Sequence, residues 1–573
     1  MGSVGNETPL IGNNANGTYI NGDNGTNGNH ASSITDPSTE VDFDAIVIGA
    51  GYSGIRMMYE LKKRGLSSTC FEAAPGVGGT WHYNRYPGAR TDSESWVYKF
   101  TFLENLDMPW KPSERYPTQP ESERYFNLIV DTFGLRKDIR FDTRIVQVLR
   151  DEPRNSWQVT TDKGVKCTCR YLIPATGPLA TPLKAPFPKE ELFRGEIYTT
   201  GLWPSKHVDF TGKRVAIVGT GATAVQLIPI VARNASQLTV FQRTPNYVLP
   251  ARNYPMEDSE WAEIERNREM HNRDARQSIF GLSVVDSTKG LADFESPKAV
   301  QKSLEKAWER GGFYLVFQTM SDLLTNPESN MIAQEFVRAK IRNVVDDPAT
   351  AELLCPKYMI FSKRPPLGHH YYEAFNRPTV KLVDISNNPI NSFTKEGLKT
   401  ADTQYEFDII ILAIGFDAVT GTLSLIDIRN GEGDELSEQL DSKWETAYGI
   451  TVRGYPNLFM PYGPLAPYGN FPVPVDNTCH WIGRLIEHMR ENGYAKAEST
   501  AEFGKAWQES SEVIFNSTLM ATHARETRSW LIGANVEGKK IRPIFWFGGT
   551  NNYILTCENE AANGYPNFEF TPA

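Results

Sequence analysis

Two stretches of the chain share one arrangement: a short apolar run, a glycine-rich turn and an amphipathic helical pattern. The first has its apolar run at 44–48 and the turn GAGYSG at 49–54, and the second has its run at 214–218 and the turn GTGATA at 219–224. A further apolar run follows in each case, at 68–71 and at 238–241. A strand, such a turn, a helix and a second strand form a nucleotide-binding βαβ unit. We therefore predict an α/β protein with two Rossmann-like dinucleotide-binding domains.

Each position of the two turns suits contact with a pyrophosphate. The first glycine permits a tight turn, the second lets the backbone approach the phosphates, and the third position, Gly54 or Ala224, lets the helix pack closely on the strand. The N-terminus of the following helix directs N–H groups and a partial positive charge toward the phosphates.

The residue that ends the second strand distinguishes the two nucleotides. In the first unit it is Glu72, whose carboxylate would accept hydrogen bonds from ribose hydroxyls and repel a 2′-phosphate. In the second unit the same spacing reaches Gln242, followed by Arg243 and Thr244, and a guanidinium beside a hydroxyl suits a 2′-phosphate. The first unit is therefore expected to bind FAD or NAD, and the second NADPH. Because nicotinamide in both units would be chemically idle, we expect FAD in the first, a pair that can pass electrons to a disulfide, a quinone or O₂.

Composition limits the class of enzyme, the partners and the cellular location that the chain can have. The six cysteines are scattered without a CxxC pair, which argues against a disulfide reductase and favours reduced thiols. The net charge of -10 argues against nucleic acid or an anionic membrane as the main partner. No apolar run reaches membrane-spanning length and no signal-peptide pattern is present. We expect a cytoplasmic enzyme, a monomer or weak homo-oligomer, without a metal site.

Several further segments resemble the flavin-dependent Baeyer–Villiger monooxygenases, a family that includes phenylacetone and cyclohexanone monooxygenases. They are GGTWHYNRYPGARTD at 78–92, ERYPTQPE at 114–121 and SWLIGAN at 529–535. The family fingerprint FxGxxxHxxxWP is similar to residues 193–204, with Thr199 in place of the histidine. Ile414 likewise replaces the threonine of the family's ATG motif. Trp203 helps to separate the chain from the sister flavin monooxygenases that oxidise nitrogen and sulfur.

The resemblance implies a ketone-oxidising reaction. NADPH reduces FAD, the reduced flavin reacts with O₂ to give a C4a-peroxide, and this anion attacks the ketone carbonyl to give an ester or lactone. Such a nucleophile and its adduct need a fixed cation in a site poor in water, and an arginine stays protonated there. The resemblance assigns Arg364 as that cation and Asp92 as the carboxylate that positions it. It also implies that residues 463–472 line the substrate.

The expected cofactor contacts follow from the two motifs and the resemblance. For FAD they are Gly49, Gly51, Ser53, Gly54, Glu72, Thr80, Trp81, His82, Tyr83, Arg90, Thr91, Asp92, Tyr98 and Ile145. For NADPH they are Gly219, Thr220, Gly221, Ala222, Thr223, Ala224, Gln226, Arg243, Thr244, Lys363, Arg364 and Trp530.

The chain is predicted to be organised in segments that alternate between the two units. We expect a disordered Asn- and Gly-rich tail at 1–40, the first part of the FAD-binding domain at 41–185 and the first part of the NADP-binding domain at 186–255. A helical insertion is predicted at 256–352 and the second part of the NADP-binding domain at 353–405. Residues 406–573 are predicted to complete the FAD-binding domain and the substrate pocket, with the strand-like run 407–412 returning the chain to the first unit.

Other functions stay open at this point. A related enzyme could oxygenate nitrogen or sulfur, an uncoupled enzyme could act as an NADPH oxidase, and a flavin-binding protein could serve as a structural or sensor protein. The substituted fingerprint position, Thr199, is the feature that would accompany an oxidase.

Overall fold

The structure, a computed structural model, describes residues 40–103 and 110–573. The predicted disordered tail, apart from its last residue, lies outside the described residues. No helix of the described segments combines the length and the apolar character that crossing a membrane would require.

The strands are β1 Phe43–Ile48, β2 Ser68–Phe71, β3 Ile139–Arg140, β4 Ile145–Asp151, β5 Ser156–Thr161, β6 Lys166–Pro174, β7 Glu196–Thr199, β8 Arg214–Val218, β9 Gln237–Gln242, β10 Leu249–Pro250, β11 Leu367–Gly368, β12 Val380–Asp384, β13 Ser392–Phe393, β14 Gly397–Lys399, β15 Gln404–Glu406, β16 Ile409–Leu412, β17 Asp427–Arg429, β18 Thr446–Ala447, β19 Thr451–Val452, β20 Tyr494–Ser499 and β21 Phe568–Pro572.

The helices are α1 Tyr52–Lys63, α2 Thr80–Tyr83, α3 Gln119–Thr132, α4 Ala222–Asn234, α5 Asp258–Arg266, α6 Arg268–Gln277, α7 Pro297–Arg310, α8 Tyr314–Phe317, α9 Pro327–Val344, α10 Pro348–Leu354, α11 Thr420–Leu423, α12 Leu436–Ser442, α13 Pro472–Glu491, α14 Ala501–Asn516 and α15 Thr550–Ala562.

The first sheet contains the first glycine-rich turn. Its strand order is β17-β4-β5-β6-β1-β2-β3. Strand β1 pairs in parallel with β2 and β6, and β4, β5 and β6 form an antiparallel meander. The apolar residues of β1 are buried, since β1 lies between β2 and β6 and packs against α1. The predicted βαβ unit of β1, α1 and β2 is present.

The second sheet contains the second turn and is parallel throughout, in the order β12-β9-β8-β16-β7. Helix α4 follows β8 and packs on it and on β9. Its residues Val225, Ile228 and Val231 are fully buried, which matches the helical spacing of the apolar positions. The chain therefore has the predicted fold class, with two Rossmann-like domains.

One predicted segment boundary is wrong. The run 407–412 does not return the chain to the first unit, because β16 pairs with β8 on one side and with β7 on the other, within the second sheet. A strand of four apolar residues that is buried on both faces fits the interior of either sheet, so its composition carries no information on the choice. The chain rejoins the first sheet later, at β17, which pairs with β4.

The two connections between the sheets lie side by side. The backbone N–H of Leu183 donates to the carbonyl of Gly415 at 3.0 Å, and the N–H of Asp417 donates to the carbonyl of Thr181 at 2.9 Å. Residues 256–352, all of which are described, contain helices α5 to α9 and most of α10 and no strand. This is the helical character that the sequence predicted for the segment.

Candidate active site

The first glycine-rich turn leaves room for a ligand but not for side chains. Gly49 has φ +101°, and a Cβ there would lie 2.9 Å from the carbonyl oxygen of Ala175. A Cβ on Gly54 would lie 1.8 Å from the carbonyl oxygen of Gly49, so only glycine lets α1 begin so close to β1. The hydroxyl of Ser53, at the start of α1, is buried and has no hydrogen-bond partner among the described residues. A phosphate at the N-terminus of α1 would supply the missing partner.

Glu72 lies at the end of β2, where its carboxylate is held by backbone donors. The N–H groups of Ala50 and Ala74 each donate to it at 2.7 Å. Burial raises the pKa of Glu72, and these two hydrogen bonds oppose the change. The carboxylate is thus held against the glycine-rich loop itself, since Ala50 belongs to that loop, and this is the position from which it can bind the ribose of FAD.

The predicted flavin contacts surround the same loop. Gly79, with φ +53°, sits against Gly51 so closely that a Cβ on it would lie 3.0 Å from the Cα of Gly51. It precedes α2, which carries Thr80, Trp81, His82 and Tyr83. The indole N–H of Trp81 donates to the hydroxyl of Tyr98 at 3.0 Å. The structure therefore brings these predicted contacts together beside the first turn, whereas Ile145 lies farther along the same sheet, as the first residue of β4.

The second turn has the same construction. Gly219 has φ +113°, and a Cβ there would lie 2.4 Å from the carbonyl oxygen of Ala413. A Cβ on Gly221 would meet nothing within 4 Å, so the backbone faces open space where a pyrophosphate can approach. The hydroxyl of Thr220 donates to the carbonyl of Thr244 at 2.9 Å, which ties the turn to the end of β9. Ala222, Thr223 and Ala224 form the first turn of α4.

Three cations gather beyond the end of β9. Burial and the neighbouring Arg528 lower the pKa of Arg243. Burial and then Arg243 lower the pKa of Lys363 to about 8. Among residues 40–103 and 110–573, no carboxylate pairs with Arg243, Lys363 or Arg528. Gln242 is turned inward, and its amide donates to the carbonyl of Leu353 at 2.7 Å.

Arg528 was not anticipated from the sequence. It lies in a loop more than 280 residues beyond Arg243 (528 against 243), and its only local signal is that it precedes the segment SWLIGAN by one position. Three unpaired cations at one point favour a dianionic phosphate. The cluster fits the 2′-phosphate of NADPH.

Asp92 and Arg364 form an ion pair, as the resemblance implied. The Nη1 of Arg364 lies 3.0 Å from the Oδ2 of Asp92. The side chain of Asp92 is 5% exposed and that of Arg364 is 28% exposed, so the carboxylate is buried while the guanidinium still reaches open space. Burial raises the pKa of Asp92, and Arg364 opposes this. The guanidinium carbon also lies 5.5 Å from the centre of the Phe313 ring.

The segment that carries Asp92 is bonded to α4. Gln226 is 7% exposed, and its amide nitrogen donates to the carbonyl of Arg90 at 3.0 Å. Its amide oxygen accepts from the hydroxyl of Tyr86 at 2.8 Å. Arg90 itself pairs with Glu114 at 2.7 Å, and the hydroxyl of Thr91 donates to the carbonyl of Ser93 at 2.7 Å. The predicted contacts Arg90, Thr91 and Gln226 therefore all have protein partners.

Aromatic side chains line the space next to the ion pair. The ring of Tyr468 lies 5.4 Å from that of Phe280 and 6.3 Å from that of Trp530. Asn470 accepts a hydrogen bond of 2.6 Å from Ser93, the neighbour of Asp92. Part of the predicted pocket segment 463–472 thus lies beside the ion pair, together with Trp530.

The two departures from the family motifs occupy different positions. Thr199 ends β7, where it pairs with Leu412 of β16. Trp203 is buried, with its ring 5.2 Å from that of Tyr198. Ile414 packs at the edge of a separate apolar cluster beneath the second sheet. Neither substitution touches the Asp92–Arg364 pair.

The chain is similar to known proteins over nearly its whole length. Residues 46–267 match the pyridine nucleotide-disulphide oxidoreductase family. A Baeyer–Villiger monooxygenase of Pseudooceanicola batsensis is 37% identical over 527 residues, 91% of this chain and 95% of that protein. Phenazine N-monooxygenase PhzNO1 of Lysobacter antibioticus is 36% identical over 529 residues, 92% of this chain and 96% of that protein.

The fold is shared with solved structures over the same length. The crystal structure of the OTEMO complex with FAD and NADP has a TM-score of 0.88 and 36% identity, covering 93% of this chain and 100% of that chain. With relatives this similar along nearly the whole chain, two nucleotide-binding turns and an Asp92–Arg364 pair between them, the chain belongs to the flavin-dependent Baeyer–Villiger monooxygenase family.

Proposed function

We propose that the protein oxidises a small-molecule ketone to an ester or lactone, using NADPH and O₂, with Arg364 and Asp92 as the groups that make the site suitable for this reaction. The observation that carries the proposal is the buried carboxylate of Asp92 holding the partly exposed guanidinium of Arg364 at 3.0 Å. A fixed cation of this kind stabilises negative charge on oxygen as a ketone carbonyl is attacked.

The two nucleotides have distinct places in this proposal. Bound FAD, reduced by NADPH, would supply the redox and oxygen-activating chemistry. Gly49, Gly51, Ser53, Gly54 and Glu72 would hold its pyrophosphate and adenosine ribose, and the residues of α2 would lie along it. Gly221 and the start of α4 would hold the pyrophosphate of NADPH, and Arg243, Thr244 and Lys363 its 2′-phosphate. The open backbone at Gly221 and the unpaired cations support this division.

The side chains around the ion pair would do three things. Arg364 donates to the oxygen on which charge develops, because a guanidinium offers several N–H donors and no acceptor. Asp92 fixes the direction of Arg364. The aromatic groups Phe280, Tyr468 and Trp530 exclude water and give an apolar surface for the ketone, which strengthens the charge interaction inside the site.

The experiment that tests the function is a panel of linear, cyclic and aryl ketones assayed with ¹⁸O₂. Product mass, NADPH consumption and hydrogen peroxide are measured in the same reactions. We expect one ¹⁸O atom in an ester or lactone and about one product per NADPH for the accepted ketones. Hydrogen peroxide equal to the NADPH consumed with every ketone would show instead an uncoupled oxidase, the outcome associated with Thr199.

Heteroatom oxygenation is the second candidate, because the similar protein PhzNO1 is a phenazine N-monooxygenase. Including a phenazine and a sulfide in the panel separates the two reactions. Oxygen transfer to nitrogen or sulfur does not require a cation facing a carbonyl oxygen, so it should survive the loss of Arg364. N-oxide formation without any ester from the ketones would replace the first proposal by the second.

A further inference from the structure

Gln226 was predicted from the sequence to contact NADPH, but its side chain forms hydrogen bonds with protein groups. It lies on α4, in the second turn of the helix that follows the second glycine-rich motif. All of the described partners of its amide are protein groups of the first unit: Tyr86, the backbone of Arg90, and Asp92. The amide nitrogen lies 3.0 Å from the carbonyl oxygen of Arg90 and 3.5 Å from the Oδ1 of Asp92.

The amide oxygen completes this arrangement. It accepts from the hydroxyl of Tyr86 at 2.8 Å and from the N–H of Arg90 at 3.4 Å. Gly88 brings the segment onto the helix, because a Cβ there would lie 2.6 Å from the carbonyl oxygen of Gln226 itself. One glutamine thus holds both ends of the segment 86–92 against α4, and the far end of that segment is Asp92.

We propose that Gln226 is a positioning residue, which holds the Asp92–Arg364 pair in register with the helix that would bind the NADPH pyrophosphate. This deepens the proposed function and rests on it. Asp92 receives Arg364 from one side and Gln226 from the other, so its carboxylate has one orientation relative to both units. A displacement of α4 would reach the ion pair through the two hydrogen bonds that the Gln226 amide nitrogen donates, to the carbonyl of Arg90 and to Asp92. Gln226 need not contact the ketone.

The test compares three variants with the wild-type holoenzyme. Gln226→Met removes the amide at similar volume. Tyr86→Phe removes the partner of the amide oxygen and leaves the donors of Gln226 in place. Gln147→Met is the matched control, because Gln147 also donates to an aspartate, Asp427 at 2.8 Å, on the far side of the first sheet.

We expect Gln226→Met to lower the rate of ester formation about tenfold, or about 1.4 kcal/mol in barrier, with a lower yield of ester per NADPH. FAD content and the rate of flavin reduction should stay close to wild type. Tyr86→Phe should give an intermediate loss, and Gln147→Met none. Hydrogen exchange of the peptides covering 86–92 in the holoenzyme gives a readout that does not depend on activity. It should become faster in the Gln226 and Tyr86 variants only.

The pH profile separates positioning from a general loss of stability. Removing a donor from Asp92 makes its anion less favourable, so the acidic limb of ester formation should move to higher pH in Gln226→Met. The other groups facing this carboxylate are Arg364, Tyr86, Tyr116 and Tyr468. Burial raises the pKa of these three tyrosines, and the pKa of the nearby His369 is lowered to about 3, so none of them accounts for such a limb.

Two results would overturn different claims. If wild-type enzyme forms no ester from any ketone, the proposed function fails and Gln226 is not at issue. If wild-type enzyme forms ester and Gln226→Met matches Gln147→Met in coupling, pH profile and hydrogen exchange, the positioning role is wrong.

Discussion

The pH dependence of NADP⁺ binding gives a direct test of the cation cluster around Lys363. Burial and the neighbouring Arg243 lower the pKa of this lysine from 10.5 to about 8. A 2′-phosphate beside the ammonium group returns its pKa toward the ordinary value, because an opposite charge favours the charged form. Binding is therefore strong while Lys363 is protonated, and it weakens as pH rises through 8.

The size of the effect follows from proton linkage. With a pKa of about 8 in the free enzyme and about 10.5 in the complex, the Kd for NADP⁺ rises about tenfold between pH 7 and pH 9, or about 1.4 kcal/mol. The second ionisation of a phosphate monoester has a pKa of about 6, so the ligand keeps one charge state over this range. Lysine deprotonation is then the main source of the change.

The assay is calorimetric titration of the FAD-loaded enzyme with NADP⁺ at pH 7, 8 and 9. Lys363→Met should bind weakly at every pH, with a flat profile. Lys363→Arg should also be flat, but should keep its affinity at pH 9, because a guanidinium stays charged. NAD⁺, which lacks the 2′-phosphate, should show no tenfold change. A tenfold rise that persists in Lys363→Met would refute the assignment of this lysine to the phosphate.

Three further predictions concern other parts of the molecule. Arg364→Ala should keep flavin reduction by NADPH, while the rate of ester formation falls by at least about a hundredfold. Stopped-flow absorbance measures the first step and product analysis the second. Ester formation near the wild-type rate would contradict the role of Arg364. Gly201→Ala places a Cβ 2.6 Å from Pro182 and should lower stability by about 1–3 kcal/mol, whereas Gly221→Ala, with free space around it, should keep the melting temperature and weaken NADP⁺ binding. Glu60→Gln removes the buried partner of two arginines and should lower the free energy of unfolding by about 3 kcal/mol at pH 7, which is measured as a lower melting temperature. Glu487 contacts Arg64 from an exposed position, so the control Glu487→Gln should change the melting temperature little. An equal effect of the two variants would exclude burial as the reason.

The nucleotide-binding units could be predicted from the sequence because their determinants are local. Strand, turn, helix and second strand follow one another within about 30 residues in each unit. Gly54 is required by a contact inside the same unit, because a Cβ there would collide with the carbonyl of Gly49. The end of β2 or β9 is then fixed by parallel pairing, so the positions of Glu72 and Arg243 follow.

The membership of β16 could not be predicted in the same way. Its apolar residues suit the interior of any parallel sheet, so its position depends on its pairing with β7 and β8. The pairing with β8 joins residues more than 190 positions apart in the sequence (409 against 215). The connection after β16 also gave no indication of the sheet, since residues 415–419 form hydrogen bonds with residues 178–183. Only the later strand β17, paired with β4, restores the chain to the first sheet.

The side chains that connect the units were also beyond local patterns, and for a different reason. Gln226 follows a motif whose usual meaning is a nucleotide contact, so its spacing favoured that reading. Its surroundings decide otherwise, because a buried amide must be satisfied by whatever lies within 3 Å, and here that is the backbone of Arg90 and the hydroxyl of Tyr86. A motif places a residue on a helix, whereas the segment packed against that helix determines which groups its side chain contacts. The coupling of NADPH to ketone oxidation therefore depends on the hydrogen bonds between Gln226 and the segment 86–92 as much as on the residues that contact either cofactor.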